Sequence, residues 1–238
     1  MQMSLGEVLR LTLFGTSHGP LVGAFLEGVP AGISIDFPKL ENLMSERRPG
    51  GRYASKRREP DNVKFLSGVE NGVTTGGKIE ISIKNKDVRT KDYSFLPDHP
   101  RPGHQDMVMM KKTGGEADLR GGGMSSARLT APIVAASAII TPLIEQLGIN
   151  INAHVCSIGI IDSKPLAECE PKWETEECRD IRCQDKTAAI EMIKLVEQHR
   201  MNLDSIGSKV ELQISGMPIG IGEPWFDGLE PYLARAMM

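Results

Sequence analysis

His104 lies inside a stretch from Arg101 to Pro132, RPGHQDMVMMKKTGGEADLRGGGMSSARLTAP, that is dense in residues able to do chemistry. Arg101, Arg120 and Arg128 are spaced along it, with the glycines 121–123, Met124 and the paired Ser125 and Ser126 between them. Glycines leading into a helix let the backbone approach a ligand closely, and free N–H groups there favour an anion. Arginine adds a bidentate grip on phosphate or carboxylate, and histidine adds a proton carrier near neutral pH. The stretch reads as an anion site with an acid–base group built in.

A second histidine, His18, sits in FGTSHGP, a glycine-flanked turn of the kind where function concentrates. The competing reading is a turn histidine bonded to local backbone. Arg47, Arg48, Arg52, Lys56, Arg57 and Arg58 form a basic run, RRPGGRYASKRREPD. Such a run is commonly a solvated face. Beside an anion site it gains a second meaning, because clustered cations repel unless solvated or matched by a polyanionic ligand. Tyr53 is the one aromatic in the run, so single-stranded nucleic acid is disfavoured. A small ligand carrying phosphate and carboxylate groups fits better.

Other matches are weaker. Gly72 to Lys78, GVTTGGK, has the core of a P-loop, but Ile79 replaces the magnesium-binding Ser or Thr and a strand pattern follows at once. His99 and His104 give H-x-x-x-x-H, but Pro100 and Pro102 prevent the helical geometry of a zinc-protease pair. Cys156, Cys169, Cys178 and Cys183 lack zinc-ribbon or redox spacing and read as free thiols, so no metal site is predicted.

Elements must position these groups. Alternation predicts strands at Leu9–Leu13, Val22–Glu27, Ile79–Ile83, Ile149–Val155 and Val210–Ile214. Asp36 with Pro38 predicts a helix start, with Pro49-Gly50 as its stop. Residues 131–147 predict an apolar helix with Thr130 as N-cap, Gly148 as C-cap and a kink or break at Pro142. An amphipathic helix is predicted over 187–201, and a last one capped by Asp227. No regular βαβ repeat appears, so the fold class is α+β.

The chain has 238 residues, 40% hydrophobic and 25% charged, with a net charge of −3. That balance argues against a general nucleic-acid binder. No signal peptide pattern opens the sequence and no apolar run is read as spanning a bilayer, which predicts a cytoplasmic protein.

In this order, FGTSHG, RRPGGRY, KRREPDNVKFLSGVENGVTTGGKI, RPGH with Asp106, GGEADLRGGGMSSAR and DSIGSKVELQISGMPIGIGEPWFD resemble chorismate synthase, over Leu5 to Met238. The resemblance implies a single domain over 1–238, a layered β-α-β sandwich lacking its C-terminal portion, and a homotetramer. It implies a shikimate-pathway lyase that removes phosphate from 5-enolpyruvylshikimate-3-phosphate by 1,4-elimination, using reduced FMN, with NADPH reducing the flavin in some members. By the same resemblance His18 is the acid at the departing phosphate and His104 lies at the flavin. Arg47, Arg52, Arg101 and Arg128 hold substrate anions, with Arg120 as a further candidate. Arg47 and Arg52 also match NADPH positions, and Met124, Ser125 and Ser126 match a flavin-contacting element.

Two departures from the family pattern stand out. Met124 replaces a usual arginine, and Leu129-Thr130-Ala131 replaces Glu-Thr-Ala. The family pattern also continues well beyond the end of this sequence. A shortened, non-catalytic homologue that folds or binds phosphorylated ligand is therefore the alternative reading.

Overall fold

The computed structural model describes residues 3–48, 52–53, 57–88, 90–169, 173 and 175–237. The chain divides into two compact units, Met1–Pro49 with Lys56–Leu143, and Gly50–Ser55 with Ile144–Met238.

The first unit contains β1 (Ser4–Leu5), β2 (Arg10–Gly15), β3 (Leu21–Glu27), α1 (Phe37–Arg47) and β4 (Val63–Ser67). A hairpin of β5 (Val69–Glu70) and β6 (Val73–Thr74) follows, then β7 (Ile79–Lys84), α2 (Asp106–Thr113) and α3 (Thr130–Glu145). The main sheet runs β1-β2-β3-β7-β4, and every neighbouring pair is antiparallel. Its register sets Val22 opposite Ile83, Ala24 opposite Ile81 and Leu26 opposite Ile79. Alternate residues of a strand share one face, so all of these are buried together. Leu40 and Met44 of α1 join that core, as do Ala131, Ala135, Ala136 and Ile139 of α3. Each large side chain removed from water there contributes about 1.5–3 kcal/mol.

Asp36 caps α1 as expected, its carboxylate accepting from the Lys39 N–H at 2.9 Å. The expected stop, Pro49 and Gly50, lies outside the described residues. At α3 the expectations need correcting. Thr130 is inside the helix, not its cap. A short 3-10 turn, Ala127–Leu129, leads in, and Ser126 caps that turn by accepting from the Arg128 N–H at 3.2 Å. Pro142 does not break the helix, which runs on to Glu145. Proline there falls in the last turn, where little helix remains to be lost. The helical run 127–145 is long and apolar enough, by composition, to cross a membrane, contrary to expectation. Its buried alanines and Ile139 in the sheet's core account for that composition.

Gly72 makes the turn between β5 and β6 with φ +78°, and β7 follows rather than a helix, so the P-loop match is a hairpin.

The second unit holds β8 (Asn150–Ile158), β9 (Ile161–Asp162), α4 (Glu176–Ile181), α5 (Lys186–Met201), β10 (Ser208–Ser215) and α6 (Leu229–Met237). Its sheet order is β10-β8-β9, again antiparallel. Asp185 caps α5 by accepting from the N–H groups of Thr187 and Ala188. Ala189 and Met192 of that helix pack on Ile158, Cys178 and Cys183. The cysteines are free thiols. Asp227 does not cap α6; it ends a separate 3-10 turn, Trp225–Asp227, and Gly228 intervenes. Antiparallel sheets with helices, and no parallel βαβ unit among the described residues, make the fold α+β.

Candidate functional site

The His18 turn is held by buried polar contacts rather than left as a free loop. β2 ends at Gly15, whose φ of +89° turns the chain where an added Cβ would meet the Leu21 carbonyl oxygen at 2.4 Å. Asn85, just past β7, donates through Nδ2 to the carbonyls of Thr16 at 3.0 Å and Gly19 at 2.8 Å. Thr16 donates to Asp118 at 2.8 Å. Ser17 is buried; its N–H donates to the Gly123 carbonyl and its hydroxyl to the Arg120 carbonyl. With its proton so committed, Ser17 Oγ accepts from His18 Nδ1 at 3.1 Å, and Nε2 is the nitrogen left for chemistry.

The His18 ring rests on the glycines. A Cβ built on Gly121, at φ +60°, would lie 2.5 Å from His18 Cε1 and 2.6 Å from Nδ1. Here glycine is required both for the left-handed backbone and for the close approach. Arg57 braces the other side, donating to the Ser17 carbonyl at 2.8 Å while Glu59 holds it at 2.7 Å. Burial first, then repulsion by Arg57, lowers the His18 pKa against the opposing pull of Asp118. Burial alone would raise the pKa of Glu59, yet the Lys86 N–H and Arg57 outweigh it and hold the carboxyl low.

His104 belongs to a second knot. Asp106, first residue of α2 and 1% exposed, accepts from His104 Nδ1 at 2.7 Å. Arg101 grips the same carboxylate through Nε and Nη2, each at 2.7 Å. The bond to Arg101 is the main reason the Asp106 carboxyl titrates well below the ordinary range, with burial opposing. Arg101 Nη2 also donates to the carbonyls of Leu119 at 2.8 Å and Gly121 at 2.7 Å. Gly121 thus meets His18 on one side and, through Arg101 and Asp106, the His104 group on the other.

Clefts open among the described residues of this unit. One of about 460 Å³ is lined by Lys91, Tyr93, Leu96, Pro97, Leu119 and Arg120, among others. Another, about 360 Å³, is lined by Thr16, Thr113, Glu116, Ala117, Asp118 and Met124.

The chorismate synthase family model matches residues 9–238. The chain belongs to the chorismate synthase family. A chorismate synthase of Aeropyrum pernix is 44% identical over 99% of this chain and 62% of its own length. One from Methanosarcina barkeri is 41% identical over 98% of this chain and 64% of its own. This chain therefore spans less than two thirds of the length of those relatives. A chorismate synthase crystal structure at 24% identity superposes with a TM-score of 0.71, covering 97% of this chain and 65% of that one.

Within this family member the predicted arginines fall into different environments. Arg128 is buried and donates to Asp61, to Asn85 Oδ1 at 2.8 Å and to the Lys84 carbonyl. Arg47 donates to the other oxygen of Asp61 at 2.7 Å. Burial, above all, lowers the Arg47 pKa. Arg120 pairs with Asp118 at 2.8 Å and lines the larger cleft. Arg52 belongs to the second unit, where it meets Glu197 at 2.5 Å. Met124 lines the smaller cleft, Ser125 closes the turn Gly123–Ser125, and Ser126 spends its hydroxyl as a cap.

Clustered cations were expected to need solvent or a ligand; the structure adds a third partner. Arg47, Arg48, Arg52 and Arg57 each meet a carboxylate of the chain itself. Lys56 lies outside the described residues. Sequence reading passed over Asp61, Glu59, Asn85, Asp118 and Tyr93. Only Asp106, two positions from His104, carried a local signal.

Proposed function

We propose that the chain provides the histidine-bearing part of a chorismate synthase site, eliminating phosphate from 5-enolpyruvylshikimate-3-phosphate. The reaction breaks a C–O bond, phosphate leaves with the electron pair, and a ring C–H gives up its proton as a new C=C bond forms. The observation that carries the reading is Gly121, which packs on His18 while its carbonyl holds Arg101 and, through it, Asp106 and His104.

His18 supplies a proton at the departing phosphate through Nε2. In the free protein, burial and Arg57 disfavour its charged form. A phosphate dianion beside it reverses that balance, so the ring takes its proton as the anionic substrate arrives. Asp106 keeps His104 oriented, with Nδ1 inward and Nε2 outward. Arg120 and Lys91 favour anionic groups at the larger cleft, and Arg101 and Arg128 hold the loops that carry the histidines and Asn85. Arg47, with a buried Nε that has no bonding partner among the described residues, adds positive potential near Arg128.

Reduced FMN, when bound, would supply electron density transiently with no net redox change. The fit is chemical: Tyr93, Leu96, Pro97 and Leu119 give apolar wall for a flat ring system, while Lys91 and Arg120 suit a phosphate tail. Met124 lines the neighbouring cleft, Ser125 is assigned to the flavin with it, and Arg52 is assigned to NADPH. A cytoplasmic homotetramer completes the proposal, checked by sedimentation.

Anaerobic incubation of the chain with reduced FMN and substrate tests the reading, with phosphate and chorismate followed together. Stoichiometric release of both is expected. No change in the flavin spectrum and no product overturns it; flavin binding without product leaves only the non-catalytic alternative.

A further inference from the structure

Tyr93 ends a short 3-10 turn, Thr90–Tyr93, and touches both histidine-bearing groups. Its ring lies 4.8 Å from the His18 ring, centroid to centroid, with 75° between the planes. The guanidinium carbon of Arg101 lies 5.6 Å from the same ring's centroid, within cation–π range. Arg101 in turn holds Asp106, and Asp106 holds His104. Tyr93 also lines the larger cleft beside Lys91 and Arg120.

We infer that Tyr93 is a positioning residue, whose ring orients His18 and seats Arg101 so that the two histidine groups keep one arrangement beside the cleft. The inference rests on His18 being the proton carrier proposed above. Its physical basis is directional. A perpendicular aromatic contact fixes the plane of the imidazole, which local bonding through Nδ1 alone leaves free to swing. The guanidinium contact gives Arg101 a partner besides Asp106. Both contacts are made by the ring, so the hydroxyl is dispensable for them. The charged groups acting on His18 are Arg57, Asp118, Arg120 and Asp87, and none lies on the turn that carries Tyr93. Replacing Tyr93 therefore alters the solvation of His18 without altering its charged neighbours.

The test uses the ligand-free chain. Proton NMR follows the His18 Cε1–H titration in wild type, Tyr93→Phe and Tyr93→Leu, with exposed His99 as the internal control. In Tyr93→Leu the His18 midpoint rises, because water reaches the imidazole, and the Arg101 Nε–H exchanges faster with solvent. His99 does not move, and Tyr93→Phe matches wild type in both readings. The inference is overturned if Tyr93→Leu leaves the His18 midpoint in place, or if Tyr93→Phe shifts it as far as Tyr93→Leu does. Should Tyr93→Leu fail to fold, Tyr93→Met removes the aromatic face with a longer, unbranched side chain that adapts to the space left, and is read by the same criteria. No substrate or flavin enters the experiment, so its outcome stands apart from that of the turnover assay.

Discussion

Asp106 Oδ1 lies 2.7 Å from His104 Nδ1, and the same carboxylate takes three bonds from Arg101, through its backbone N–H, Nε and Nη2. One buried acid thus orients a histidine and anchors the arginine that holds the glycine loop. Asp106→Asn is expected to destabilise the fold by about 3 kcal/mol, as breaking a largely buried ion pair does. Urea unfolding measures it; an unchanged midpoint rejects the assignment.

The same acid predicts a pH dependence. The folded-state pKa of Asp106 is lowered, so its stabilisation is fully present above the unfolded value, about 3.9. It is lost as pH falls below that value. Wild type minus Asp106→Asn, followed by chemical denaturation from neutral pH into acid, should show the difference shrinking only at the acid end.

His18 acts in a different window. Its folded pKa is lowered, so its contribution is complete above the unfolded value near 6.5 and declines as pH drops through that point. Arg57→Gln removes the second-largest cause and should raise the NMR midpoint of His18. A midpoint that stays put would place the whole effect in burial.

Gly121→Ala should cost roughly 1–3 kcal/mol from the left-handed backbone alone. The new Cβ also collides with His18, so the ring must move. Thermal denaturation reports the cost, and a displaced His18 Cε1–H resonance reports the movement. A variant as stable as wild type, with an unmoved resonance, contradicts the close approach.

Asp61 and Arg52 mark opposite extremes. Asp61→Asn leaves Arg128 and Arg47 without their shared counter-charge and should cost about 3–5 kcal/mol. Arg52→Ala breaks an exposed pair with Glu197, worth less than about 1 kcal/mol. Arg52→Ala should therefore melt almost as wild type does, so any loss of NADPH-dependent flavin reduction would report on binding rather than folding.

Much was legible in the sequence because its signals are local. Ile79, Ile81 and Ile83 alternate, and they form the buried face of β7. Asp36 beside Pro38 marked the start of α1. The long ordered motifs pointed to the family, and the family model spans nearly the whole chain. Helix ends were read less well. Ser126 took the capping role expected of Thr130, since the extra 3-10 turn moved the boundary, and Pro142 sat too near the end of α3 to interrupt it.

By itself the sequence determined the strands, the α+β class, the family and two candidate histidines, His18 and His104, among many arginines. Periodicity and motif order need no knowledge of distant neighbours. Only the tertiary structure decided what each cation does. Arg128 finds Asp61 and Asn85, Arg52 finds Glu197, and Arg101 closes on the carbonyls of Leu119 and Gly121. Charge is neutralised by whatever the fold brings within a few ångströms, and most of those partners lie far along the chain. Arg120 faces a cleft, Arg128 is sealed in the interior, and identical side chains acquire separate tasks through burial and pairing.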